Sequence, residues 1–327
     1  DSVPLVCFTG QVPMNLIGND AFQEVDIVGI TRSICKYAVT VRKREDLARI
    51  IKNAFYIART GKPGPVVVDI PKDIQLAMGS DEYPAEVNIR GYKPSEGVHV
   101  GQIKRALAEL KNAKKPVFLC GGGVNIAHAR KEMQQLAEKT GIPVVTTIMG
   151  KGAIPTDHPL YVGNIGMHGN LASNKAIMES DVLFSIGCRF NDRITGTIDT
   201  FAKNAKIIHV DIDAASISRN IKVDIPIVAD AKVAISKMLE YAEPLDIKDW
   251  VDDIMNVKAE YPINMNRYDG VTPEAIIRTI NDMYSNLIVT TDVGQNQLWT
   301  TQYIDIDENK QLLTSGGLGT MGYGFPA

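Results

Sequence analysis

Apolar residues between positions 47 and 58 recur at every third or fourth place, which predicts a helix with one buried face. Gly61 follows and is suited to end that helix. Residues 65–71 then read Pro-Val-Val-Val-Asp-Ile-Pro, a run typical of a parallel strand covered on both faces. The opening residues also read as a strand. Residues 78–96 are polar, contain Gly and Pro and lack a period, so we interpret them as a linker.

A second region alternates helical and strand patterns from about Val98 to Tyr241. Helices separate the predicted strands, which are residues 116–120, 142–147, 181–186 and 206–212. A last helix is predicted at residues 229–241. Such alternation indicates a doubly wound α/β domain with a parallel sheet.

A third α/β unit is predicted after a charged, weakly periodic connector at residues 246–268. Its first helix begins after Thr272, with Pro273 at the first helical position and Glu274 in the first turn. A strand is predicted at residues 286–292. The chain starts without Met and ends just after a glycine-rich stretch, which we interpret as an internal piece of a longer protein.

Composition narrows the classes of function. The 327 residues carry a net charge of −3, which argues against a basic face for nucleic acid. No apolar run approaches the roughly 18 residues that a membrane span needs. The four cysteines form no Cys-x-x-Cys pair and the five histidines no His-x-x-x-His pair. We therefore predict buried, reduced thiols and no metal site built from this chain alone.

The densest chemical signal is at residues 315–327, where five glycines surround Met321. Glycine lets the backbone approach a ligand closely, so this stretch is predicted to wrap a cofactor. Residues 291–296 end a strand with a small residue and amides, which suit donation to a diphosphate. The opening strand likewise ends in glycine and an amide, Gln11.

Three glycines, residues 121–123, lie between a predicted strand and a predicted helix. That position suits a pyrophosphate, but a plain tight turn accounts for it equally well. Asp211 and Asp213 end another strand, where one carboxylate could accept a hydrogen bond from a ribose hydroxyl. The alternative is a helix N-cap, which is favoured for Asp213.

Two arginines, Arg189 and Arg193, flank Asp192 after a strand, an arrangement suited to carboxylate or phosphate recognition. A surface ion pair is the alternative. Residues 166–169 read Gly-Met-His-Gly, which could line a flat ring or form only a turn. The sequence contains no pair of catalytic carboxylates, Ser-His-Asp set or Walker motif.

Several motifs together closely resemble the large, catalytic subunit of acetolactate synthase, also called acetohydroxyacid synthase. They are residues 9–13 (Thr-Gly-Gln-Val-Pro), 20–24 (Asp-Ala-Phe-Gln-Glu), 61–73, 189–193 (Arg-Phe-Asn-Asp-Arg) and 315–327. The resemblance covers essentially the whole chain. It implies an α/β fold of three doubly wound parallel-sheet units of the thiamine-diphosphate enzyme type, the first and last incomplete.

The implied domains are the C-terminal part of a pyrimidine-binding domain (1–78), a linker (79–97), a central FAD-binding domain (98–243), a second linker (244–270) and the start of a pyrophosphate-binding domain (271–327). The implied cofactors are thiamine diphosphate, Mg²⁺ and a structural FAD. The implied reaction decarboxylates pyruvate and joins the hydroxyethyl group to pyruvate or 2-ketobutyrate, in branched-chain amino acid biosynthesis.

The resemblance also implies roles for individual residues. Those implied to hold FAD are Lys62, Gly121, Gly122, Gly123, Thr147, Ile148, Met149, Met167, His168, Gly187, Arg189, Ile194, Asp211, Ile212 and Asp230. Those implied to contact thiamine diphosphate are Val293, Gly294, Gln295, Asn296, Gly319 and Met321. Arg193 would bind the carboxylate of the second keto acid, and Gln11, Phe22 and Lys72 would line the substrate channel.

Two positions depart from the family pattern. Lys62 lies where Arg is frequent, which keeps the charge but loses the planar fork, and Asn296 lies where His is frequent. The resemblance further implies a homodimer or homotetramer, a possible small regulatory subunit, a cytoplasmic location and no nucleic-acid or membrane partner. The alternatives are another thiamine-diphosphate enzyme, of the pyruvate oxidase or glyoxylate carboligase type, or a non-catalytic nucleotide-binding relative.

Overall fold

A computed structural model describes residues 2–265 and 269–327 of the chain. The end of the predicted connector at 266–268, and Asp1, lie outside the described residues. The chain divides into two compact units, Asp1–Ser95 and Glu96–Ala327. The prediction of an α/β fold with parallel sheets is confirmed in both units.

The first unit is a three-stranded parallel sheet in the order β1-β3-β2 with short helices. Its elements are β1 (Leu5–Gln11), α1 (Ile27–Thr31), β2 (Tyr37–Thr40), α2 (Leu47–Arg59), β3 (Pro65–Pro71) and α3 (Lys72–Leu76). Ile50, Ala54 and Ala58 on the predicted apolar face of α2 are buried against β3, whereas Phe55 is 51% exposed. Gly61 follows the helix with a φ of 58°. Much of the predicted linker lies on this unit, because Ile89 and Tyr92 pack against its core.

The second unit contains a six-stranded parallel sheet in the order β6-β5-β4-β7-β8-β9. Its first elements are α4 (Val100–Asn112), β4 (Pro116–Cys120), α5 (Gly122–Ile126), α6 (Arg130–Thr140), β5 (Val144–Thr146), β6 (Tyr161–Asn164), α7 (Leu171–Glu179), β7 (Val182–Ile186), α8 (Asp192–Thr195), β8 (Lys206–Asp211), β9 (Ile225–Val228) and α9 (Ala231–Tyr241). Strands β4 and β7 are wholly buried, as expected for central parallel strands.

The stretch predicted as a charged connector contains a 13-residue helix, α10 (Lys248–Glu260). Trp250 and Ile254 on this helix are buried in the core of the six-stranded sheet. The helix was missed because its buried face is narrow and its other residues are mostly charged.

The rest of the second unit is a smaller parallel sheet flanked by helices: α11 (Pro273–Met283), β10 (Leu287–Thr290), α12 (Gln295–Tyr303) and β11 (Lys310–Leu313). As predicted, Thr272 caps α11 and Pro273 occupies its first position. None of the helices within residues 2–265 and 269–327 has the length and apolar character that crossing a bilayer requires.

Candidate cofactor-binding site

The six-stranded sheet has a switch point between β4 and β7. From β4 the chain builds outward through β5 and β6 on one side, and from β7 through β8 and β9 on the other. Open parallel sheets bind ligands in the crevice at the carboxyl ends of such strands. Nearly all the residues implied to hold FAD follow one of these six strands, so they share this carboxyl edge.

Glycines let the loops after β4 and β7 touch at the switch point. The N–H of Gly121 donates to the carbonyl of Ile186 at 2.9 Å, and that of Gly123 to the carbonyl of Gly187 at 3.1 Å. A Cβ on Gly121 would overlap the carbonyl of Gly187, and one on Gly123 would overlap its Cα. Close packing therefore accounts for Gly121 and Gly123 without a ligand, as the tight-turn alternative anticipates.

Two further loops reach across this edge. Strands β6 and β7 are separated in the sheet by β5 and β4, yet the N–H of Met167 donates to the carbonyl of Arg193 at 3.1 Å. The loops after β6 and β7 therefore meet over the ends of the two strands between them. Met167 and His168 are exposed on this bridge, and Ile194 is half-buried. Gln302 donates to the carbonyl of His168 at 3.2 Å.

The loop after β7 has a strained backbone. Phe190 is buried, yet its φ is 51°, a left-handed conformation that is rare for a bulky residue. Its ring lies 5.0 Å from the ring of His209, and Asn220 donates to the carbonyls of Arg189 and Phe190, both at 3.0 Å. These contacts hold Arg189 exposed at the sheet edge.

Arg193 forms the surface ion pair that the sequence left as an alternative. Its Nε lies 3.8 Å from Asp192, and both side chains are exposed. Such a pair contributes little to stability, so the guanidinium remains accessible to another anion.

The acidic residues at the far end of the edge have structural partners. Asp213 accepts from the N–H of Ala215 at 3.0 Å, which confirms its prediction as a cap. Asp230 caps α9 by accepting from the N–H groups of Lys232 and Val233. Asp211 is buried and accepts from the N–H of Asp213 at 2.9 Å, and Ile212 is half-buried beside it.

His209 is fully buried on β8, one pleat before Asp211. Its Nε2–H donates to the carbonyl of Cys188 at 2.8 Å, while Nδ1 has no partner among the described residues. Burial lowers the pKa of His209 to about 4, so the ring is neutral at pH 7. Burial likewise raises the pKa of Cys188 to about 12, so this thiol stays protonated.

The glycine-rich residues 315–324 fold back onto the end of β10. Asp292 organises the contact, because one carboxylate oxygen accepts from Val293 at 2.8 Å and from Gly322 at 2.7 Å. Thr290 donates to the carbonyl of Gly324 at 2.6 Å. Gly319 and Gly322 have φ values of 67° and 86°, which glycine adopts without strain.

The same stretch also reaches the edge of the larger sheet. A Cβ on Gly316 would lie 2.6 Å from the Sδ of Met149, so its backbone approaches the turn after β5. Asn125 holds that turn by donating to the carbonyls of Met149 and Lys151 at 2.9 and 3.1 Å. Thr147, which precedes it, is buried and accepts from Gly150. The structure thus brings the glycine-rich stretch close to Met149, one of the residues implied to hold FAD.

Helix α12 begins beside this stretch. Gly294 is its N-cap, with a φ of 132° and no side-chain cap, and Gln295 and Asn296 are exposed in its first turn. Uncapped N–H groups at a helix N-terminus are suited to a phosphate. Val293 is half-buried, and a Cβ on Gly319 would lie 4.0 Å from its Cγ1. Met321 is 80% exposed.

The remaining residues of the predicted site belong to the first unit. Gln11 donates to the carbonyl of Val25 at 2.9 Å, and Phe22 is 88% exposed. Lys72 begins α3 and is exposed, and Lys62 is half-buried just before β3.

The sequence did not reveal the residues that organise these loops. Asp69 is buried and accepts from Thr9 at 2.8 Å and Thr40 at 3.1 Å, which joins the three strands of the first sheet. Asn125 and Asp292 play the same part in the second unit. An acidic residue inside the apolar run at residues 65–71 was the available signal for Asp69. Within the described residues, no three His, Cys, Asp or Glu side chains are placed to hold a metal ion.

Comparison with known protein families assigns both parts of the second unit. Residues 103–238 match the thiamine pyrophosphate enzyme, central domain, and residues 292–327 match the thiamine pyrophosphate enzyme, C-terminal TPP binding domain. The chain therefore belongs to the thiamine pyrophosphate enzymes.

Among these enzymes, the relatives are acetolactate synthase large subunits, as the sequence motifs predicted. The chain is 46% identical to the probable acetolactate synthase large subunit of Methanocaldococcus jannaschii and 45% identical to that of Methanococcus aeolicus. It is 44% identical to the acetolactate synthase large subunit of Corynebacterium glutamicum. All of this chain is aligned in each case, and it covers 58%, 58% and 54% of these relatives' lengths, respectively.

Proposed function

We propose that this chain is part of an acetolactate synthase catalytic subunit. The reaction decarboxylates pyruvate and transfers the hydroxyethyl group to a second 2-keto acid, pyruvate or 2-ketobutyrate. The observation that carries the proposal is the fold of residues 315–324, which pack on Asp292 and approach Met149 at the same time. In a chain with these relatives, that arrangement supports a cofactor site where the two sheets of the second unit meet.

Thiamine diphosphate would be held by the loops after β10 and β11. The first turn of α12, with Gly294 as N-cap, would donate N–H groups to the diphosphate, and Gln295 and Asn296 would add amide donors. Met321 would contact the organic part of the cofactor. When bound, the cofactor stabilises the carbanion that decarboxylation leaves. This chain's residues bind and orient it.

FAD would lie along the carboxyl edge of the six-stranded sheet. The glycines at the switch point bring backbone close to this crevice, and the loops after β6 and β7 bridge its centre. Titration of the chain with FAD, followed by flavin fluorescence, tests the assignment. Saturable quenching is expected, and a properly folded chain that leaves flavin emission unchanged would exclude it.

We assign no Mg²⁺ ligands among the described residues, where no three His, Cys, Asp or Glu side chains lie together. No step of the reaction is therefore assigned to a metal held by these residues.

The guanidinium of Arg193 would select the acceptor keto acid by binding the carboxylate of that acid. A charged hydrogen bond of this kind contributes about 1.5–3 kcal/mol, so Arg193→Ala in the enzyme that contains this chain should reduce use of the acceptor roughly ten- to hundredfold. Arg193→Lys keeps the charge and should lose less. Unchanged acceptor kinetics and product ratio in Arg193→Ala would exclude this role.

The product formed and the redox state of the flavin during turnover separate the rival enzymes. An acetolactate synthase makes acetolactate with the flavin remaining oxidised, whereas an oxidase reduces its flavin during turnover.

We further propose a homodimer or homotetramer, with a possible regulatory subunit, in the cytoplasm. Light scattering of the purified catalytic protein measures its oligomeric state.

A further inference from the structure

A cavity of about 170 Å³ lies in the second unit between β6, α10 and the end of α12. Its polar lining includes Lys151, Tyr161, Asn164, Lys258, Thr301 and Asp305. His168 also lines the cavity, and among the described lining residues it is the one that was implied to hold a cofactor.

Two lysine side chains are drawn into this cavity. Lys151 is only 6% exposed, and its Nζ donates to the carbonyl of Thr301 at 2.8 Å, its single hydrogen bond within the described residues. Lys258 donates to the carbonyl of Tyr161, and its Nζ lies 5.4 Å from the centre of the Tyr161 ring. An ammonium group has three N–H donors, so both lysines retain donors for a ligand.

The acidic groups around the lysines do not balance them. Asp305 is the carboxylate in the lining, but it is exposed and already accepts from Asn281 at 3.0 Å. Burial raises the pKa of Tyr161 to about 12, so this phenol is neutral. Among the Lys, Arg, Asp and Glu side chains that the structure describes in the lining, two cations and one carboxylate leave one net positive charge.

Burial of the two ammonium groups makes their charged forms less favourable, and this lowers the pKa of each lysine. Burial lowers the pKa of Lys151 to about 8; Asp305 opposes this shift, and the charge of Lys258 adds a smaller lowering effect. Burial also lowers the pKa of Lys258. An anion placed between the two ammonium groups would relieve both effects.

We propose that this cavity binds a small oxyanion, a phosphate or a small carboxylate, between the ammonium groups of Lys151 and Lys258. Asn164 and Thr301 line the same space and limit the size of the ligand. Because the ligand would contact α10 and the end of α12 together, binding would stabilise the second unit. The proposal does not depend on the assignment of FAD or thiamine diphosphate.

The test is titration of the full chain with sodium phosphate, and separately with sodium acetate, by calorimetry and thermal unfolding. Sodium chloride at matched ionic strength is the reference. Saturable 1:1 binding with a raised Tm is expected for at least one oxyanion. Binding of phosphate alone identifies a phosphate site, and binding of acetate as well identifies a general carboxylate and phosphate site. No saturable binding of either ion, or an equal effect of chloride, would overturn the proposal.

Variants locate the binding. Lys151→Met and Lys258→Met should each weaken it at least tenfold, whereas Lys175→Met, which removes a surface lysine paired with Glu179, should leave it unchanged. Phosphate bound instead at the N-terminus of α12 would survive both cavity variants, and that result would contradict the proposal. Lys151→Arg, which keeps the charge, serves as the fallback if Lys151→Met does not fold, and Lys258→Met remains an independent test.

Discussion

Gly121 has no room for a side chain, since a Cβ would overlap the carbonyl of Gly187 on the neighbouring loop. We expect Gly121→Ala to separate the ends of β4 and β7 and to abolish the FAD binding proposed above. Destabilisation of about 1–3 kcal/mol is expected, as for other overpacked sites. Flavin titration and urea unfolding measure the two effects.

Gly97→Ala is the matched control, because a Cβ there meets nothing within 4 Å and the backbone needs no left-handed φ. It should leave flavin binding and stability nearly unchanged. Flavin binding retained by Gly121→Ala would argue that the ligand does not lie at the switch point.

His209 predicts a pH effect on stability. The pKa of His209 is about 4 in the folded chain and about 6.5 when the ring is exposed. Below pH 6.5 the unfolded state therefore binds a proton that the folded state does not bind. Stability should fall as pH decreases from 6.5 to 4, by roughly 3 kcal/mol at most, and should not depend on this group above pH 6.5. Asp211, 3.7 Å away, would reduce the effect.

His209→Gln keeps a donor for the Cys188 carbonyl but does not titrate. The difference in unfolding free energy between native protein and variant, measured by urea unfolding at several pH values, should be flat above pH 6.5 and change below it. A constant difference down to pH 4 would show that the ring is protonated in the folded chain.

Among the helices, α10 shows how one large side chain anchors an otherwise charged element. Trp250 is 4% exposed, and its indole N–H donates to the carbonyl of Pro116 at 3.1 Å. We expect Trp250→Ala to cost about 3–5 kcal/mol, and Trp250→Phe less, because it retains a ring but leaves that carbonyl without its donor.

Asn256→Ala, on the exposed side of the same helix, is the control and should change stability little. Urea unfolding followed by circular dichroism measures all three variants. Equal stability of Trp250→Ala and Asn256→Ala would mean that α10 is not part of the core.

The sequence predicts those elements that local chemistry determines, and it misses those that depend on contacts with distant residues. Strands β3, β4 and β7 are continuous apolar runs, and Thr272 with Pro273 marks a helix start, so local chemistry is sufficient there. Strand β6 has four residues, including Gly163 with a φ of 143°, and it pairs with β5, a partner that its own residues do not reveal. Helix α10 likewise depends on a distant partner.

The site residues also form two groups, those that the sequence reveals and those that only the folded chain reveals. Glycine-rich turns after strands are visible in the sequence, because strand order places them on one edge. The side chains that fasten those turns bond to distant residues: Asn125 to Met149, 24 positions away, and Asp292 to Gly322, 30 positions away. Only the folded chain reveals such pairs, and the same is true of Lys151 and its bond to Thr301.

Across the second unit, the smaller sheet depends on the larger one. Its own buried core consists of Ile277, Tyr303, Ile304 and Ile306, and a two-stranded sheet is marginal in water. The N–H of Thr156 donates to the carbonyl of Ile306 at 3.0 Å, and the N–H of Ile306 donates to the Thr156 hydroxyl at 3.0 Å. Arg130 donates to the carbonyl of Lys310 at 3.3 Å. These contacts join the smaller sheet to the loop between β5 and β6 and to the first residue of α6.

Ile306 is the side chain on which this attachment depends most, because it is fully buried and a Cβ on Gly152 would lie 2.5 Å from its Cγ2. Ile306→Ala should cost about 2–5 kcal/mol, enough to open the smaller sheet while the larger one stays folded. Hydrogen exchange followed by mass spectrometry should then show faster exchange in β10 and β11 and unchanged protection in β7. Ile276→Ala, at a half-exposed position on α11, should leave both sheets protected. Equal loss of protection in β7 and β10 would instead mean that the two sheets open as a single cooperative unit.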